Sequence, residues 1–114
     1  MANSFARTTK SSLVTADVTG STTTNVLTVG STTTAVLISV LVSNKTGSNA
    51  TVNLYLLASS GDSVYLVKGV SVPSGSSLEL VSGNRIVLAS SDVLRASSDT
   101  ATALDLTISY LSQT

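Results

Sequence analysis

An antiparallel β-sandwich, jelly-roll-like and forming one all-β domain over residues 1–114, is the fold this sequence predicts. Three observations carry that reading. Apolar residues recur with a period of two, which places alternate side chains on opposite faces of a strand. No window repeats them at i, i+3, i+4 and i+7, so neither helices nor the crossovers of a parallel sheet are expected. The runs are broken at roughly ten-residue spacing by Gly, Ser, Asn and Asp clusters, the rhythm of about eight to ten short strands in a sandwich.

The elements follow in order. The first third is the weakest, with short strands expected at 4–9, 13–18 and 25–29. Gly-Ser-Thr-Thr-Thr occurs at 20–24 and again at 30–34, which reads as two similar turns flanking the strand at 26–29. The clearest strand spans 34–43. Val36, Ile38, Val40 and Val42 form one face and Leu37, Ser39, Leu41 and Ser43 the other. Both faces are largely apolar, so a central strand covered on both sides is expected. The polar turn Asn44-Lys45-Thr46-Gly47-Ser48-Asn49 leads into a strand at 50–58, which is expected to form a hairpin with the preceding one. That strand buries Val52, Leu54 and Leu56 and shows Thr51, Asn53 and Tyr55.

Ser59-Ser60-Gly61-Asp62 turns the chain into a strand from 64 to 72, where Gly69 marks a bulge or bend. Pro73-Ser74-Gly75-Ser76 reads as a type II turn with Pro at its second position and Gly at its third. Strands follow at 77–81, 86–89 and 93–97, separated by Ser82-Gly83-Asn84 and Ser90-Ser91-Asp92. The last strand, 102–111, buries Leu104, Leu106, Ile108 and Tyr110.

Composition narrows the chemistry. Charged residues make up 11% of the chain and cancel to a net charge of zero. Such a surface does little to hold copies apart, and Ser and Thr, about a third of the chain, supply its polarity instead. Arg7, Lys10, Lys45, Lys68, Arg85 and Arg95 are scattered without aromatic interleaving, which argues against nucleic acid as a partner. No apolar run approaches the ~20 residues of a membrane span. The opening Met-Ala-Asn-Ser-Phe-Ala-Arg lacks the charged-then-apolar order of a signal peptide, so a cytoplasmic site of synthesis is expected.

The chain has no His and no Cys. General acid–base catalysis most often uses His, and an activated Ser needs a base beside it, so a non-enzymatic role without cofactor or metal is expected. Six carboxylates remain, Asp17, Asp62, Glu79, Asp92, Asp99 and Asp105, most beside turns where Asp accepts backbone N–H groups. Asp62, Asp92 and Asp99 could supply loop oxygens to Ca²⁺, but no Asp-x-Asp-x-Asp spacing supports that. Arg95, inside an apolar strand, reads either as the partner of Asp92 or Asp105 within the domain or as half of an ion pair between subunits. The polar segment 2–10 around Phe5 reads either as a frayed terminus or as an N-terminal arm, residues 1–10, that docks Phe5 on a neighbour.

From Val36 to Leu111 the order of segments is distinctive. Val-Leu-Ile-Ser-Val-Leu-Val-Ser-Asn is followed by Ala-Thr-Val-Asn-Leu-Tyr-Leu and then by the segment from Tyr65 to Leu80. Its most specific piece is the Val-Pro-Ser-Gly-Ser-Ser-Leu turn, followed by Ser-Asp-Val-Leu-Arg. This order resembles small β-sandwich virion proteins of tailed bacteriophages, over about the last two-thirds of the chain. The resemblance implies a structural protein of the virion, foremost a capsid decoration (cement) protein that bridges neighbouring capsid subunits. It would be made in the host cytoplasm. The alternative it implies is a tail, collar or fibre module serving assembly or adsorption to host glycans. Implied partners are the chain itself, as a homotrimer or other symmetric oligomer, and the major capsid protein or other virion proteins. Interfaces favour aromatics and Arg, so Phe5, Arg7, Tyr55, Leu57, Tyr65 and Arg95 are the expected contact residues. Three Tyr, one Phe and no Trp are few stacking platforms for a glycan groove.

Overall fold

The computed structural model describes residues 3–20, 22–81 and 86–113. Among them nine strands run in chain order: β1 (Asn3–Lys10), β2 (Asn25–Thr28), β3 (Thr34–Asn44), β4 (Ala50–Leu57), β5 (Ser63–Val72), β6 (Ser77–Glu79), β7 (Ile86–Leu88), β8 (Val93–Ser98) and β9 (Leu104–Gln113). Sheet A has the order β1-β9-β3-β6, with β7 also on β3, and sheet B has the order β2-β8-β4-β5. Every pairing among these strands is antiparallel.

β7 lies against Ala35–Leu37 and β6 against Leu41–Ser43, both on the side of β3 away from β9. They are two pieces of one interrupted strand. Counting them as one position gives 1-8-3-6 over 2-7-4-5, two four-stranded sheets wound as in a jelly roll. The core lies between the sheets. Leu37, Val40 and Val42 of β3, with Leu104, Leu106 and Ile108 of β9, face Val52 and Leu54 of β4 and Leu94 and Ala96 of β8. Tyr110 packs against this core, in line with the inward set expected for the last strand.

Five local expectations are corrected. β3 and β4 do not form a hairpin. Both edges of β3 are taken, by β9 and by β6/β7, so the chain after Asn44 must leave for the other sheet. Asn44 holds that step: its Nδ2 donates to the carbonyls of Ser48 and Val72, and its Oδ1 accepts from the Thr46 N–H and hydroxyl. The hairpin is β4–β5, across the Ser59–Asp62 turn.

The two-face alternation of β3 breaks at Ile38. The register with β9 slips between Leu37 and Ser39, so the inward set is Ala35, Leu37, Val40 and Val42. A bulge adds one residue and reverses the parity of everything beyond it. Ile38 and Leu41 are consequently exposed, and the outer face of β3 is not covered.

Residues 13–18 form no strand. Leu13 and Val18 are buried, but their segment bonds to two different strands: the Leu13 N–H donates to the Leu104 carbonyl, and the Val14 carbonyl accepts from Ser98. The turn at Pro73 is set one residue from expectation. The Pro73 carbonyl accepts from the Ser76 N–H, making Pro73 the first residue, while Gly75 holds the third position at φ 68°. The two Gly-Ser-Thr-Thr-Thr copies also differ: Thr22–Thr24 is a single 3₁₀ turn, whereas Gly30 and Thr33 close a tight turn before β3. The turn expected at 82–84 lies outside the described residues.

Candidate interaction surfaces

The six expected contact residues fall into two groups on opposite outer faces. Phe5 and Arg7 sit on β1 of sheet A, and Tyr55, Leu57, Tyr65 and Arg95 sit on sheet B.

On sheet B, cross-strand register places Asn25, Arg95, Tyr55 and Tyr65 in one row over four strands. Leu57 lies in the next outer row, opposite Val93 and Ser63, and is half-buried. The middle of the row is closed from within the subunit, while Tyr65 on β5 is 40% exposed. Arg95 is 7% exposed; its Nε donates to Asn25 Oδ1 at 2.8 Å and a terminal N–H to the Val18 carbonyl at 3.2 Å. Tyr55, 8% exposed, meets Tyr65 edge to face at 5.1 Å. Lys68 stands over the Tyr65 ring, 5.1 Å from its centroid.

Arg95 therefore takes neither expected role within the domain. Asp92 accepts from the Ser59 and Ala89 N–H groups, and Asp105 pairs with Lys45 at 2.9 Å. Nor is its guanidinium presented to a neighbour. Sequence could flag Arg95 as unusual in its strand, but not that the segment before β2 folds over it.

On sheet A the register builds a row that the sequence reading missed. Phe5 lies opposite Leu111, Leu111 opposite Val36, and Val36 opposite Val87. Opposed residues share a face, so four apolar side chains from β1, β9, β3 and β7 line the outer surface over about 14 Å. Phe5 is 81% exposed and Val87 61%. Ile38 and Leu41 extend the patch along β3. Arg7, opposite Ser109, borders it. The signal is present in the apolar second face of residues 34–43, which patterning alone assigns to a buried layer.

Five of the six carboxylates, Asp17, Glu79, Asp92, Asp99 and Asp105, accept backbone N–H groups. Partial burial pushes Glu79 up, but hydrogen bonds from Ser39 and from the Val40 and Val81 N–H groups outweigh it and leave its pKa below the ordinary value. Glu79 thereby fills the gap between β6 and β7 where β3 has no strand beside it. The Thr19 N–H and hydroxyl lower Asp17, and the Thr51 N–H lowers Asp99. The Lys45 ammonium, then the Ser12 N–H, lower Asp105. An open depression of about 310 Å³ beside Asp105 is lined by Thr9, Lys10, Ser11, Leu106 and Thr107. Among the described residues, no three acidic, His or Cys side chains gather where they could hold a metal ion.

The segment expected to act as an arm lies along its own domain: β1 pairs with β9 over all eight residues, from Asn3↔Gln113 to Lys10↔Leu106. Comparison with protein-family models, with curated proteins and with solved structures finds no match. The likeness to phage virion proteins therefore rests on the segments quoted from the sequence alone.

Proposed function

We propose that this chain is a structural subunit of a bacteriophage virion, a capsid decoration protein that seats the outer face of sheet A on the shell and bridges neighbouring capsid subunits. The observation that carries the proposal is the outer row Phe5–Leu111–Val36–Val87, exposed at Phe5 and Val87 and half-buried at Leu111 and Val36, with exposed Ile38 and Leu41 beside it. Apolar patches of this kind on a small domain mark contact surfaces more often than chance exposure. Two further features support the setting. The jelly roll is an architecture of viral capsid and lectin domains, a likeness of fold and not of site. A chain with net charge zero tolerates the dense packing of copies that a shell requires.

The glycan-binding alternative draws less support. Tyr55 is buried and Lys68 stands over the exposed Tyr65 ring, so sheet B offers one partly shielded aromatic and no row of stacking platforms. Phe5 lies on the opposite sheet.

The test is the position and copy number of the protein in intact particles, by quantitative mass spectrometry and labelled imaging. Hundreds of copies over the shell are expected, with occupancy falling in a Val87→Lys variant that folds normally. A few copies at one vertex would favour the collar or fibre role. Absence from particles would overturn both.

A further inference from the structure

The four outer edges of the two sheets are not alike. β2 has four residues. The β6/β7 edge is interrupted opposite Ile38–Val40. β5 is ten residues long, but its ladder with β4 slips twice, Gly69 sits at φ 68°, and Lys68 projects beside it. Bulges and an edge Lys are devices that keep a strand from recruiting another. β1 has no bulge, and its one Lys, Lys10, stands at the last residue of the strand. Its eight residues pair with β9 without a slip, and the described residues place no strand on its second edge. Its contact with the other sheet is a side-chain bond, from the Thr8 hydroxyl to the Val26 carbonyl.

We infer that β1 is a dimerisation edge, and that its occupant is β1 of a second copy, paired antiparallel about a two-fold axis at Ala6. The register follows from parity and charge. In a two-fold antiparallel pair, residue i faces residue j with i + j constant. Opposed residues share a face, so the constant is even. An axis at Arg7 sets like charges against each other, which is destabilising. An axis at Phe5 or at Thr8 pairs only five residues of each strand. An axis at Ala6 pairs seven, Asn3 to Thr9, and places Phe5 opposite the partner's Arg7. That guanidinium then lies against an aromatic ring, twice by symmetry. The two Phe5 rings become diagonal neighbours, within reach of each other.

The pairing satisfies the free backbone groups of β1 and joins both A sheets into one sheet eight strands across. It draws on Phe5 alone from the outer row and leaves Val87 exposed, so it does not depend on the shell-binding proposal.

The full chain, tested by sedimentation equilibrium from about 1 to 100 μM, is expected to show a mass of twice 11.5 kDa. Phe5→Lys sets an ammonium against the partner's Arg7 and should weaken the dimer by at least ~tenfold. Adding Arg7→Glu makes the same pair attractive and should restore it. Phe5 and Arg7 are exposed, so circular dichroism should report unchanged folding in all variants. A chain that stays monomeric at 100 μM overturns the inference. So does a dimer that Phe5→Lys leaves intact, or one that the double variant fails to restore. A dimer lost instead with Val87→Lys would place the contact on the sheet face and refute the edge.

Discussion

Replacing Arg95 by Met separates the internal role of this side chain from a role between subunits. Met keeps an apolar stem in the row beside Tyr55 and removes the guanidinium. Two acceptors then lose their donor. The Val18 carbonyl, whose bond to Arg95 is buried, is left unpaired at a cost of about 1–3 kcal/mol. Asn25 Oδ1 is only partly buried and can turn to water, so its loss is near ~1 kcal/mol. Against this, the protein no longer desolvates a charge, which returns part of the loss. The net expectation is a destabilisation of about 2 kcal/mol, a large share of the roughly 5–15 kcal/mol that holds a domain together.

Urea unfolding followed by circular dichroism reads this directly. With a slope of about 2 kcal/mol per M, the midpoint should fall by ~1 M. Arg95→Lys should lie between the parent and Met, because a point charge cannot span both acceptors as the planar guanidinium does. The Ser98 amide, which donates to Val14 in the same overlying segment, should exchange faster in the Met variant. An Arg95→Met protein as stable as its parent would refute the reasoning. If that protein also lost self-association, the ion pair between subunits would be the better account.

Other predictions rest on single groups. Glu79, Asp17, Asp99 and Asp105 all have folded pKa values below their ordinary ones. Their contribution is complete above the ordinary carboxylate range, about pH 4, and is lost as pH falls through the lowered values. Stability should thus be flat from about pH 5 upward and drop below pH 4, with a shallower drop in Glu79→Gln, as read by thermal unfolding across pH. Lys45→Ala should cost less than ~1 kcal/mol, since the pair with Asp105 is 42% exposed on both sides. Asp105→Ala should cost more, because the Ser12 N–H also loses its acceptor; denaturant midpoints of the two variants make the comparison. Gly75→Ala should cost about 1–2 kcal/mol by the same measurement, for its φ of 68° alone, as no atom lies within 4 Å of an added Cβ.

Strand identity was legible where one rule governed. The inward set of β9 and the bulge at Gly69 follow from period-two patterning and turn chemistry, and the structure has them, whereas the hairpin expected between β3 and β4 lies instead between β4 and β5. What was not legible depends on partners distant in sequence. The slip at Ile38 is set by where β9 and the broken β6/β7 edge meet β3, and Glu79 reaches across some forty residues to complete it. The segment 13–18 looks like a strand because Leu13 and Val18 are buried as strand residues would be, yet its bonds go to two strands and make no ladder. The apolar row of sheet A was hidden for a related reason. A continuous apolar strand reads the same whether its second face meets another layer of the same chain or none.

That ambiguity also separates the two outer faces. A two-layer sandwich has only two inner surfaces, so apolar residues on an outer face need some other cover. On sheet B the chain supplies it at the centre: the segment before β2 brings the Val18 carbonyl to Arg95, and Tyr55 is sealed at 8% exposure, while Val64, Tyr65 and Val70 of β5 stay exposed. On sheet A nothing among the described residues does the same, and Phe5 and Val87 remain mostly exposed. Polar replacements there would disturb no core contact and would raise solubility, and Ser or Thr already fills neighbouring outer positions such as Thr9, Thr107 and Ser109. Composition cannot explain the difference, because both faces draw on the same Ser- and Thr-rich chain. What differs is placement: on sheet A the outer apolar row is continuous across four strands, whereas on sheet B the exposed large apolar side chains are confined to β5 and the centre is closed by the protein's own backbone.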